Sequence, residues 1–239
     1  MNFALTALTA FVIAYFVGSL PFGLIVARLA GGIDIRKEGS GNIGATNVAR
    51  VLGAKYGAVV LALDCLKGAA PTGLLPVLFL DSSAPQWLHL EVLSGVGAIL
   101  GHMFPFWIGF RGGKGVATAL GVALVLAPAA SALALALFII CVAATRIVSL
   151  SSIVGACAFC GLELWHLRPQ PFAETTWSLA LFSTVVPILI VVRHRTNLAR
   201  LLRGTESRFR FGGTGRKREE GQQPGPGEGV ATPSDGERL

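Results

Sequence analysis

Residues 3–30 read FALTALTAFVIAYFVGSLPFGLIVARLA, and this run decides the fold. Its single charge is Arg28. It is too long for the core of a signal peptide and has no basic leader, so it reads as a retained membrane-crossing segment. The whole chain agrees with it. Of 239 residues, 53% are hydrophobic and only 14% charged, and the mean hydropathy is +0.65. A soluble domain carries about 25% charged residues. Lipid must therefore cover much of this surface.

Working outward, further apolar runs occupy residues 56–80 (interrupted by Asp64, Lys67, Pro71 and Pro76), 87–110, 153–167 and 175–192. Two shorter runs fit between 116 and 144, broken near Pro128. The expected fold is an all-α, polytopic integral membrane protein with seven transmembrane helices. Seven crossings put the termini on opposite sides. The loops that would share the C-terminal side hold Arg36, Lys37, Arg50, Arg111, Lys114 and Arg146. The chain beyond the last run adds Arg193, Arg195, Arg200 and Arg203, whereas the other loops hold only Arg168. Positive charge collects on the cytoplasmic side. The N-terminus is thus expected outside, and the C-terminus and all glycine-rich segments in the cytoplasm. Residues 1–211 form the expected membrane domain. Residues 212–239, rich in Gly, Pro, Glu and Arg, cannot bury a core and are expected to be a disordered, basic cytoplasmic tail. The net charge of +7 follows from topology and that tail, so no nucleic-acid partner is expected. Cys65, Cys141, Cys157 and Cys160 all lie in apolar stretches. The Cys157–Cys160 spacing lacks a second pair or a nearby His, so neither a disulfide framework nor a metal site is expected.

Three polar segments can carry chemistry. The first, EGSGNIGATNVAR at 38–50, contains a GxGxxG pattern at Gly39, Gly41 and Gly44, with Asp64 downstream. No strand precedes it and Asp64 sits in an apolar run, which excludes a dinucleotide fold. Small residues expose backbone N–H groups that cradle anions. Ser40, Thr46 and Asn47 add side-chain donors, and Arg50 adds a planar fork suited to phosphate. The second, GHMFPFWIGFRGGKG at 101–115, invites a Walker reading. Ile108 and Gly115 stand where that motif needs Gly and Ser or Thr, so no nucleoside-triphosphate loop is present. Gly112, Gly113, Lys114 and the helix start that follows still suit a phosphate. His102 reads as a hydrogen-bonded core histidine away from this knot, with a direct catalytic role as the alternative. The third, RHRTNLARLLRGTE at 193–206, reads as a basic interfacial helix, with His194 and Asn197 three apart on one face. Asp64 and Lys67 read as a mutual ion pair near the inner surface. Ser149, Ser151 and Ser152 are either hydroxyl donors or helix caps.

GSGNIGATN followed by Arg50, GHMFPFWIGFRGGKGVAT, SLSSI and RHRTNLARLLRGTES occur in that order. Together they resemble the bacterial acyl-phosphate:glycerol-3-phosphate acyltransferases over residues 16–206. The resemblance implies a seven-helix enzyme of the bacterial inner membrane, its site facing the cytoplasm. Such an enzyme moves a fatty acyl group from acyl phosphate to the 1-hydroxyl of glycerol 3-phosphate. The products are lysophosphatidic acid and phosphate, the first step of phospholipid synthesis. It further implies that Ser40, Thr46, Asn47, Arg50, Gly112, Gly113, Lys114 and one of Ser149 and Ser152 handle phosphate. Arg50, Lys114, His194 and Asn197 would hold glycerol 3-phosphate, with Ser40 in the catalytic set beside them. No cofactor and no metal are expected, and the substrate phosphate is expected to accept the hydroxyl proton, with Glu38 as the nearest carboxylate. The partners implied are the two substrates and membrane lipid. A monomer is expected, with association with the acyl-phosphate-forming enzyme left open. Two competing readings remain. A transporter of small phosphate-bearing anions needs polar groups at both ends of a path, and the outer loops are nearly uncharged. Alcohol phosphotransferases need clustered aspartates, and Asp34, Asp64, Asp81 and Asp235 are scattered. Lipid phosphatases need a nucleophilic histidine with basic partners, and His102 and His194 lack that spacing.

Overall fold

The long apolar run at the N-terminus breaks once, at Pro21. The helices on either side are α1 (Phe3–Gly18) and α2 (Phe22–Gly31). Proline has no N–H and disfavours helix at the residue before it. The Ser19 N–H closes α1 on Tyr15 O at 2.9 Å. The computed structural model describes residues 2–209, and among these every regular element is helical. The expected tail at 212–239 lies outside the described residues.

After a polar loop come α3 (Ala45–Leu52) and α4 (Ala54–Phe79), the latter continuous through Pro71 and Pro76. Next is α5 (Trp87–Met103), which stops short of the expected 110. Pro105 follows closely, and Tyr15 Oη donates to Phe104 O at 2.7 Å, so the chain turns into a 3-10 segment at Phe106–Ile108. Then come α6 (Val116–Leu126), α7 (Pro128–Thr145), α8 (Val148–His166), α9 (Trp177–Arg193) and α10 (Arg195–Leu202). α8 begins five positions before the expected 153, so Ser149, Ser151 and Ser152 lie inside it rather than capping it.

By length and composition five stretches can cross a bilayer: Phe3–Gly31, Ala54–Phe79, Trp87–Ile108, Pro128–Thr145 and Val148–His166. The α9–α10 pair, bent by 59°, makes a sixth. With 11 residues, α6 is about 16 Å long against a hydrocarbon layer of about 30 Å. Large apolar side chains point outward along these helices, with Leu78 72% and Ile140 63% exposed, as lipid contact requires.

Lipid is as apolar as leucine, so helices in it associate through close packing of small residues rather than through water exclusion. α1 meets α5 at Gly18, Gly97 and Gly101, where a Cβ would strike backbone of the facing helix. α4 meets α6 in the same way: Gly68 lies against Thr118 O and Gly121 against Cys65 O. Gly121→Leu is therefore expected to force α4 and α6 apart. The cost is about 1–3 kcal/mol or more, read as a lowered melting temperature in detergent. An unchanged melting temperature would mean that this contact does not hold the bundle.

Candidate active site

Four segments far apart in sequence line one polar cavity of about 600 Å³. They are the loop leading into α3, the loop between α5 and α6, the start of α8, and the break between α9 and α10 with the chain after α10. Ser40, Thr46, Asn47, Arg50, Lys114, Ser149, Ser152, His194 and Asn197 all stand on its wall. Gly112 and Gly113 do not.

The first segment is built around Asn47, which is 2% exposed. Its Nδ2 donates to Glu38 O at 3.0 Å and Asn42 O at 2.9 Å, and its Oδ1 accepts from Ser40 N at 2.8 Å. Gly39 and Gly41 take positive φ (57° and 70°) so that the loop can wrap this amide. Asn47 thus spends its hydrogen bonds on the loop. Its work is to shape the rim from which Ser40, Thr46 and Arg50 face the cavity.

The second segment departs from the expected backbone cradle for a similar reason. Gly112 N donates to Met103 O and Gly113 N to His102 O, both at 3.2 Å. Arg193 binds the two glycine carbonyls, at 3.3 Å to Gly112 O and 2.8 Å to Gly113 O. The amides of Gly112 and Gly113 are thus committed inside the protein, and the two glycines act as the mount for Lys114. By sequence Arg193 belongs to the basic interfacial segment 193–206, and nothing local distinguishes it from its basic neighbours. His102 also lies elsewhere than expected: its ring packs against Gly113.

Lys114 projects from that mount and donates to Asn197 Oδ1. Asn197 in turn donates to Glu206 Oε1 at 2.6 Å, Ser149 Oγ donates to the same oxygen at 2.7 Å, and Arg200 Nε binds Oε2 at 2.7 Å. Glu206 is the hub, and it was missed as a site residue although it closes the basic third segment. Burial would raise its pKa, but the hydrogen bonds from Asn197, Ser149 and Arg200 outweigh this and hold it below the usual carboxylate range. Burial lowers the Lys114 pKa to about 8; Glu206 opposes the shift, and Arg200, Arg193 and Arg50 add to it. The cavity therefore carries an excess of positive charge that an anion would relieve. His194 is 2% exposed, and burial lowers its pKa to about 4. Its Nδ1 lies 2.8 Å from Ile190 O, so the neutral ring carries its proton there and Nε2 is the acceptor. Ser152 Oγ donates to Val148 O at 2.8 Å. Glu206 and Asp64 stand on the cavity wall, and Glu38 does not.

Next to the polar cavity lies an apolar one of about 430 Å³, lined by α3, α4 and α6–α9. The two share Thr46, Leu61, Val116, Phe138, Val148 and Ser152 as common wall. The far part of the apolar cavity reaches Phe159 and Phe182, whose rings meet edge to face.

A cation-lined cavity set against an apolar slot among the membrane helices is the arrangement of a lipid-handling membrane protein. Comparison with known proteins agrees with that class. The family model described as glycerol-3-phosphate acyltransferase matches residues 8–204. A glycerol-3-phosphate acyltransferase of Anaeromyxobacter sp. is 44% identical over 197 residues, 82% of this chain and 93% of the relative. The crystal structure of PlsY, an integral membrane glycerol 3-phosphate acyltransferase, in its glycerol 3-phosphate form superposes with a TM-score of 0.74. It is 40% identical, over 85% of this chain and 96% of that one. The lysophosphatidic acid form of the same enzyme gives 0.72 at 39% identity, over 85% and 95%. The chain belongs to the glycerol-3-phosphate acyltransferase family. That membership sets aside the alternative reading as an anion transporter.

Proposed function

We propose that this protein transfers a fatty acyl group from acyl phosphate to the 1-hydroxyl of glycerol 3-phosphate. The products are lysophosphatidic acid and inorganic phosphate. The observation that carries the reading is the adjacency of the two cavities: cations and a neutral imidazole line one, and an apolar slot of about 430 Å³ lies directly against it, sharing wall residues. The solved relative has forms with glycerol 3-phosphate and with lysophosphatidic acid, a substrate and a product of this reaction.

Lys114 and Arg50 take the phosphate of glycerol 3-phosphate, with Asn197 holding Lys114 in place. His194 Nε2 accepts a hydrogen bond from a glycerol hydroxyl and turns the 1-hydroxyl toward the carbonyl. Ser40, Thr46 and Ser149 or Ser152 supply donors for the acyl phosphate. The acyl chain lies in the apolar slot, reached from the inner leaflet. Acyl phosphate is a mixed anhydride and already activated, so the enzyme's task is positioning and charge stabilisation. The new ester C–O bond forms as the carbonyl–phosphate bond breaks. The hydroxyl proton leaves on the departing phosphate. Neither nucleotide nor metal is required by this chemistry. The test is purified protein with palmitoyl phosphate and labelled glycerol 3-phosphate. Lysophosphatidic acid is expected without ATP, acyl carrier protein or metal. Product only from acyl-coenzyme A or acyl carrier protein would overturn the donor assignment.

The proposed topology is seven crossings, through α1–α2, α4, α5, α6, α7, α8 and α9, in the bacterial inner membrane. The N-terminus is outside and the site faces the cytoplasm. Two features support it. Basic residues collect in alternate loops. Those same alternate loops line one cavity, as loops on one side of the membrane would. An epitope appended after Leu239 is expected to be digested by protease in inside-out vesicles and spared in right-side-out ones. The reverse pattern would invert the topology. A working monomer, with or without association with the acyl-phosphate-forming enzyme, completes the proposal.

A further inference from the structure

Beneath the polar cavity lies a charged cluster that the proposed reaction does not use. Asp64 and Lys67 of α4 and His102 of α5 are 2%, 3% and 3% exposed. Lys67 Nζ lies 2.8 Å from Asp64 Oδ1 and donates to Leu20 O at 2.8 Å. His102 Nδ1 is buried without a hydrogen-bond partner and faces the same Asp64 oxygen at 3.6 Å. Buried ionisable groups inside a membrane helix are costly and persist where they serve a site. Asp64 and His102 both reach the cavity wall. The other end of the imidazole, Nε2, occupies the place that a Cβ on Gly113 would take. The His102 carbonyl holds the Gly113 N–H at 3.2 Å, and Arg193 holds the Gly113 carbonyl. Gly113 is thus gripped from several directions, and Lys114 is the next residue.

We propose that His102 is a positioning residue for glycerol 3-phosphate: its imidazole, turned by Asp64, is the floor on which Gly113 rests, and so sets where Lys114 enters the polar cavity. A carboxylate 3.6 Å from Nδ1 favours, through its charge, the tautomer that carries its proton on that nitrogen. With that ring in place, Gly113 can carry no side chain, and the loop has one height. Without it, the loop gains a void beneath it and Lys114 drifts. A displacement of about 1 Å at a substrate-holding group can cost about a hundredfold in rate. This inference rests on the proposed role of Lys114 at the substrate phosphate.

The test uses the full-length protein in detergent, with KM measured separately for glycerol 3-phosphate and palmitoyl phosphate. Folding is checked by elution profile and melting temperature. His102→Ala is expected to raise KM for glycerol 3-phosphate about tenfold or more, with KM for palmitoyl phosphate and kcat within about threefold. His102→Gln keeps bulk under Gly113 and an amide toward Asp64, and is expected within about threefold of wild type in both constants. Gly113→Ala should lose at least about thirtyfold in kcat/KM, because its Cβ meets the ring. The double variant H102A/G113A fills the void and should recover about tenfold or more of that loss, a coupling that contact between the two side chains requires. A double variant no better than Gly113→Ala, or one that fails to fold, overturns the proposal. So does His102→Gln that loses about a hundredfold in kcat at unchanged KM, which would put the imidazole in the chemical step itself. Absence of product from wild type in the same assay would instead sink the acyltransfer reading.

Discussion

Lys114→Ala lowers kcat/KM for glycerol 3-phosphate by at least about tenfold, the loss of one charge-assisted phosphate contact worth about 1.5–3 kcal/mol. Arg50→Ala is expected to lose a similar factor. Steady-state kinetics at varied glycerol 3-phosphate checks both, and near-wild-type values in both variants would remove the proposed phosphate site. The same lysine predicts a pH limb. Its pKa is lowered to about 8, by burial first and by nearby arginines. Below that pH it is the cation that phosphate needs; as pH rises through it the charge is lost and kcat/KM falls. A substrate phosphate with its second pKa near about 6 is already dianionic there, so the limb belongs to the enzyme. Lys114→Arg retains its charge far above pH 8, so its limb should vanish even though its fork fits Asn197 less well. A limb that stays in place in the arginine variant would assign it to another group.

Glu206→Ala should damage both stability and turnover. The carboxylate is 8% exposed and accepts from Asn197, Ser149 and Arg200. Removing it strands partly buried donors at a cost of about 2–4 kcal/mol. A drop of several degrees in melting temperature should result. It also frees Asn197, which holds Lys114, so a loss of about a hundredfold in kcat/KM is expected from misplacement alone. Glu206 raises the Lys114 pKa. Any residual activity should therefore lose its alkaline limb at lower pH than wild type does. Glu206→Gln keeps the shape and one acceptor oxygen, and should fall between the two. Wild-type melting temperature and kinetics in Glu206→Ala would show that Asn197 and Ser149 are held by other means.

Much of the site was legible because polarity is a local signal in an apolar chain. Ser40, Thr46, Arg50, Lys114, His194 and Asn197 stand out against their surroundings, and all reach the same cavity. The Asp64–Lys67 pair was legible for another local reason, since residues three apart share a helix face. The roles of Asn47, Gly112 and Gly113 were not legible. Each is a sound phosphate donor by type, but a donor serves a ligand only if nothing in the protein has taken it. Glycine density indicated a tight turn correctly; it could not show that His102 and Met103 carbonyls had claimed the amides.

Sequence by itself determined that this is a helical membrane protein, which residues are unusual in it, and on which side they are expected. Hydropathy, charge asymmetry and motif order depend on neighbours in the chain, and a membrane makes such local patterns strict. Tertiary structure decided where the first run breaks, where α8 begins, and which polar atoms remain for substrate. It also revealed Arg193 and Glu206, whose partners lie 80 residues away at Gly113 and 57 at Ser149. Donor capacity is finite and is spent on whatever the fold brings near. The run at 3–30 therefore announced a membrane protein, while the use of its glycine-rich loops depended on the packing of helices.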